Sequence, residues 1–166
     1  VTWKTFLFLI HKKIRMSSKI KEALFKECEA FVNKRLQTVE EVISSHQKAL
    51  QSETKSSAGD KHETGRAMLQ LEMEKAGQQI LGINQMKLVL SKIDISNSTE
   101  VVHLGSVIET NSLNYFLSIS AGRIIVEDKI YFAISILSPI GKLLLGKKVN
   151  DECLFRGEKI QIKKIN

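Results

Sequence analysis

Two spacings of apolar and polar positions divide this chain. After Ile20 the apolar positions fall at Phe25, Cys28, Val32, Leu36, Val39, Ile43, His46 and Leu50, in steps of three and four residues. Such steps hold one stripe of an α-helix toward a partner. The stepping returns at Leu69, Met73, Ala76, Ile80, Ile83 and Leu90, with Lys87 filling the missing place. Two helices of this kind, joined by a short polar turn, predict an antiparallel coiled-coil hairpin over residues 17–92. Helices of about 30 residues would give it a length of roughly 45 Å. The seams are narrow and no third helical pattern follows, so a free hairpin is expected rather than a compact bundle.

Beyond Lys92 the period changes. "IDISNSTE", residues 93–100, reads as a polar linker. From 101 to 166 β-branched and aromatic residues alternate with polar ones. Strands are expected near 101–109, 113–119, 123–126, 130–135, 152–156 and 159–165. One short helix interrupts them, with Ser138 as N-cap, Pro139 in its first position and Gly146 as its stop. The predicted fold class is mixed α+β: a helical hairpin, then a small, curved, antiparallel β domain with one helix laid against it.

Composition agrees with a folded domain. The 166 residues are 43% hydrophobic and 26% charged, with one proline and nine glycines. Cys28 and Cys153 have no metal-type spacing and read as reduced thiols, the usage of a cytoplasmic protein. His11, His62 and His103 make no metal spacing with them, and His46 reads as a packed seam residue.

The net charge of +7 is unevenly spread. Residues 1–16, "VTWKTFLFLIHKKIRM", hold Lys4, Lys12, Lys13 and Arg15 and no acid. The remainder is close to balanced, which argues against direct binding of bare duplex DNA. The apolar run Phe6–Ile10 is far shorter than the roughly 20 residues of a membrane span, and its charges follow rather than precede it, unlike a secretory signal. We expect no membrane partner and read residues 1–16 as a non-native or disordered extension, residues 1–15 being sequence upstream of a start at Met16, with a membrane-surface anchor as the competing reading.

Between the helical runs lies "SSAGDKHETGRAM", residues 56–68. Asp60 and Glu63 stand three apart there, a spacing close to a capping box, and negative charge suits a first helical turn. Two carboxylates within one turn can also share a hard cation. Mg²⁺ is commonly held by one or two protein carboxylates plus substrate phosphates, so this pair would need another macromolecule to complete the shell.

"AGDKHETGRA" resembles the tip motif of bacterial transcript-cleavage factors of the Gre family, Gly-Asp, two residues, then Glu-Asn; Gly59, Asp60 and Glu63 match it. "SPIGKLLLGKKVNDE" is similar to a second segment of that family through Ser138, Pro139, Ile140, Leu144, Gly146, Lys147 and Asp151. The order of the motifs is also the family's, and the resemblance spans roughly residues 18–166. It implies an FKBP-like fold for residues 101–166. It implies a cytoplasmic transcription elongation factor, a monomer whose hairpin enters the secondary channel of RNA polymerase. There Asp60 and Glu63 would act as catalytic and metal-holding groups on Mg²⁺ shared with the polymerase active site, and backtracked nascent RNA would be cut near its 3′ end. Such a factor stimulates the polymerase's own hydrolysis and is not an independent enzyme.

Further roles follow from the same resemblance. Lys55, Lys61 and Arg66 become candidates for contact with RNA, and Ser138, Pro139, Ile140, Gly146 and Lys147 for docking on the polymerase. The chain departs from the family at the tip: Thr64 replaces Asn, Gly65 follows, and Arg66 stands where an aromatic is expected. A non-cleaving secondary-channel binder that modulates the polymerase is therefore the alternative. Peptidyl-prolyl isomerase activity ranks below both, because few aromatics are available to line an apolar pocket. Acyl transfer by either cysteine lacks a nucleophile elbow.

Overall fold

A computed structural model describes residues 3–54 and 60–166, and the side chains of 18–52 and 63–166. The helical half consists of α1 (Trp3–Thr54) and α2 (Asp60–Ser91). The residues upstream of Met16, expected as an extension, continue α1 back to Trp3. The β-rich half follows in the order β1 (Val107–Thr110), β2 (Asn114–Ser118), β3 (Gly122–Val126), β4 (Lys129–Ser135), α3 (Pro139–Leu144), β5 (Glu152–Phe155) and β6 (Glu158–Ile165). Two compact units emerge. Val1–Glu29 with Val89–Asn166 forms one, and Ala30–Leu88 forms the other.

In the unit Ala30–Leu88 each helix buries one stripe. On α1, Val32 and Val39 are buried, and Leu36, Ile43, His46 and Leu50 are half-buried. On α2, Ala76 and Ile83 are buried, and Leu69, Met73 and Ile80 are half-buried. The expected three-and-four spacing reappears in the burial, with one correction. The place after Ile83 belongs to half-buried Met86, while Lys87 is exposed. Met86 keeps the step of three and needs no charge taken out of water.

In the other unit the strands form a six-stranded sheet in the order β3-β4-β2-β1-β6-β5. The expectation of antiparallel pairing throughout is corrected at one place: β2 and β4 run parallel, from Asn114 opposite Tyr131 to Ser118 opposite Ser135. The cause lies in the β3–β4 hairpin. Its two-residue turn, Glu127 and Asp128, takes φ of 49° and 61°, the type I′ geometry that matches the twist of antiparallel strands. This hairpin lies beside β2 with its second strand innermost, so β4 sits between β3 and β2. The β5–β6 hairpin uses the same device at Arg156 (φ 53°) and Gly157 (φ 85°).

Strand β1 starts later than the alternation at 101–109 predicts. Val101 makes only an isolated bridge to Lys148, and the chain then turns. His103 N–H donates to the Ser106 hydroxyl at 3.0 Å, and Ser106 N–H donates to the His103 carbonyl at 3.0 Å. Gly105 takes φ +92°, and a Cβ there would stand 2.8 Å from Ile93 Cγ2. Only glycine fits both demands.

The sheet has two buried faces. Tyr115 and Leu117 of β2 join Val102, Ile108, Ile160 and Ile162 in a core closed by Ile140 and Leu144 of α3. Phe116 and Ser118, alternating with them, point the other way. There Cys28 Sγ of α1 lies 3.6 Å from the Ser118 hydroxyl. Burial holds the Cys28 thiol above its ordinary pKa, and both cysteines are free.

Candidate functional site

The tip and the α3 segment are the two regions that carry motif matches, and they differ in what the fold does with them. At the tip, α2 opens at Asp60. Asp60 and Glu63 therefore share the first turn, and residues three apart on a helix are neighbours on its surface. The unpaired N–H groups of that turn favour negative charge. Glu63, Thr64 and Arg66 are exposed, and Gly65 between them is half-buried. Lys55 lies outside the described residues, as do the side chains of Asp60 and Lys61.

The donor set bears on Mg²⁺ directly. Two carboxylates from one helical turn can supply only part of the near-octahedral oxygen shell this ion demands. Among the described residues no group of three or more His, Cys, Asp or Glu could hold a metal. The pair suits a cation shared with other ligands and does not suit a closed site within the chain.

Several polar atoms of the α3 segment are engaged by the fold itself. The Ser138 hydroxyl accepts from Gly141 N–H at 3.1 Å and donates to the Ser135 carbonyl at 2.7 Å. Pro139 occupies the first turn, as expected. Gly141 has no room for any side chain, since a Cβ would stand 2.1 Å from the Ser135 carbonyl oxygen. Leu145 N–H donates to Gly141 O at 2.9 Å, and Gly146, at φ +79°, donates to Val102 O at 2.9 Å. Asp151 accepts from Lys148 N–H at 2.8 Å, and its own carbonyl accepts from Ile162 N–H at 3.0 Å. Of the five docking candidates, Ile140 belongs to the core, Ser138 caps the helix, and Gly146 ends it. Pro139 is exposed and Lys147 half-buried, so these two offer side-chain surface.

One feature of this unit had no signal in the periodicity. Lys21 lies on α1 and is only 3% exposed, with Nζ donating to the Asn97 carbonyl at 2.6 Å. Burial lowers its pKa below the ordinary lysine value, and the Asp94 carboxylate partly offsets that. Asp94 in turn accepts from both the backbone and the hydroxyl of Ser96, at 2.9 and 2.6 Å. A lysine among helix-forming residues reads as solvated, and only the approach of the 94–97 turn makes it a buried donor. Lys21 therefore ties α1 to the linker and is a structural residue.

No protein-family model matches the chain, and no curated protein matches it either. Among the described residues no helix is long and apolar enough to cross a membrane.

Proposed function

We propose that this protein is a transcription elongation factor that places α2's first turn in the secondary channel of RNA polymerase and promotes Mg²⁺-dependent cleavage of backtracked RNA. The observation that carries the reading is the pair Asp60 and Glu63 in one helical turn, preceded by Gly59, in a chain that continues into a β-rich unit bearing the Ser138–Asp151 segment. In this reading the unit Ala30–Leu88 is a coiled-coil hairpin, supported by the three-and-four spacing of its buried residues. The β-rich unit is FKBP-like, supported by a six-stranded sheet with one short helix packed on one face.

The chain's own contribution is positional. Asp60 and Glu63 would hold Mg²⁺ together with carboxylates of the polymerase, and the ion, when bound, supplies the charge that activates water toward a phosphodiester. The first-turn position presents both acids from a rigid element, which sets them more closely than a loop would. Lys55, Lys61 and Arg66 stand near enough in sequence to offer positive charge to RNA phosphates. Exposed Pro139 and Lys147 would supply the docking contacts, while Ser138, Ile140 and Gly146 hold the segment that presents them.

A second reading, a factor that occupies the channel without cleaving, is favoured by Thr64-Gly65-Arg66. Gly65 weakens the helix just behind the acids by about 1 kcal/mol relative to Ala, and Thr64 is shorter than the Asn of the resembled motif. Purified protein and Mg²⁺ added to stalled, backtracked complexes separate the two. Shortened transcripts are expected. Full-length transcripts with slowed synthesis would support the second reading. Replacing Asp60 and Glu63 together by Ala is expected to abolish cutting and leave co-sedimentation with the polymerase intact, and absence of any association with the polymerase would sink both readings.

A further inference from the structure

Helix α2 carries two stripes. The inward one runs from Leu69 to Leu90. The other runs in its own steps of four and three, about two residues earlier: Ala67, Leu71, Glu74, Gln78, Leu81, Gln85 and Leu88. That offset places it on the opposite side of the helix, and Leu71, Leu81 and Leu88 are 52%, 69% and 51% exposed. A single exposed leucine needs no explanation, but three on one line of four-and-three steps form a seam that alternates leucine with polar layers. Gly77 and Gly82 flank its centre, and nothing lies within 4 Å of where their Cβ atoms would stand. Packing within the chain therefore gives no reason for two residues that each cost a helix about 1 kcal/mol relative to Ala.

We propose that this stripe binds a second copy of the chain, α2 against α2, antiparallel about a two-fold axis level with the midpoint between Gln79 and Ile80. The inference is independent of the proposed function. Its argument is self-complementarity. An isologous interface must match itself on reversal. Reversing α2 about that midpoint carries Leu71 onto Leu88, Glu74 onto Gln85, Gln78 onto Leu81 and Gly77 onto Gly82. Leucines then close the interface at both ends, and Glu74 meets the amide of Gln85. The central Gln78–Leu81 layer is framed by four glycines that let the two backbones approach. The positions flanking the stripe are Gln70, Gly77 and Asn84 on one side and Lys75, Gly82 and Val89 on the other. Lys75 is the one charge among them, and in an antiparallel pair it faces Gly82 and Val89 of the second copy. No like charges oppose each other. The polar layers fix register at some cost in affinity, so the pair is a weak dimer, and the expectation of a monomer holds only for dilute protein.

Sedimentation velocity of the full chain from about 1 µM to about 300 µM tests this, and a reversible monomer–dimer equilibrium is expected within that range. Leu81→Glu puts a carboxylate beside the axis and should raise the dissociation constant at least ~10-fold, with unchanged circular dichroism because the side chain is already exposed. A Gln78→Cys chain should form a covalent dimer on mild oxidation, since residue 78 lies nearest the axis. Leu88→Cys should not, because its symmetry mate is about 25 Å away along the helix. The unmodified chain under the same oxidant sets the background from Cys28 and Cys153. A wild-type chain that stays monomeric throughout, a dimer indifferent to Leu81→Glu, or linkage through residue 88 as ready as through residue 78 would each overturn the proposal.

Discussion

A methyl group on residue 141 would stand 2.1 Å from a backbone oxygen, closer than any carbon can come without moving one of the two backbone segments. Gly141→Ala is expected to cost about 3 kcal/mol, the upper range for overpacking a filled site, measured as a lowered midpoint in urea. Gly146→Ala meets open space and only an unfavourable φ, so about 1 kcal/mol is expected there. The sequence marks Gly146 as the stop of α3 and gives no sign that residue 141 lacks room for a side chain. The difference between the two glycines is set by the return of Ser135 above the helix, which is a tertiary fact. Lys21 teaches the same lesson through pH. Its folded-state pKa is lowered, so the unfolded chain binds more protons between that value and the ordinary lysine value of 10.5. Stability contributed by this residue therefore rises with pH across that window, once the folded lysine begins to lose its proton. Lys21→Met should remove that rise in denaturation midpoints followed from neutral to alkaline pH.

Within single elements, the helices were the most legible part of the chain, because a period of three and four is local. Even there Met86 rather than Lys87 took the step after Ile83, since both residues satisfy the count and only burial separates them. The inward stripe and the outward one make opposite predictions. Ile83 is fully buried, so Ile83→Ala should cost about 3 kcal/mol, whereas Leu81→Glu in dilute protein should leave the unfolding free energy within about 0.5 kcal/mol of wild type. For α3, Ser138→Ala removes an acceptor from Gly141 N–H and should cost about 1 kcal/mol by the same measure. The strands were placed well where two-residue turns fixed them. The expected start at 101 falls too early because the β-branched pair Val101 and Val102 leads into the turn at His103–Ser106 rather than into β1. The parallel β2–β4 pairing was not legible, because alternation tells which face a residue takes and is silent about which strand lies alongside.

For the molecule entire, the candidate site divides along the same line. The spacing of Asp60 and Glu63 is short-range and could be read directly, and α2 does begin there. The Ser138–Asp151 segment was legible as a motif. Its residues turn out to be engaged by their own fold far more than a docking surface would require, with a cap, a core side chain, a helix stop and a turn accounting for most of them. The ligands that would complete a cation's shell are supplied by another protein in the proposed function, so no reading of this chain alone could contain them.

The sheet order carries a consequence for how the protein is made. Strand β6 is the last in sequence, yet it lies inside the sheet between β1 and β5. Val107 and Asn166 exchange both of their backbone hydrogen bonds at 2.9 Å. During synthesis β1 leaves the ribosome long before its neighbour, and until β6 arrives one edge of β1 stays open to any other strand. Nascent chains stalled before Glu158 should thus be cut readily by protease within residues 101–157. Chains long enough to hold residues through Asn166 clear of the ribosome should resist, because only then can β6 take its place between β1 and β5.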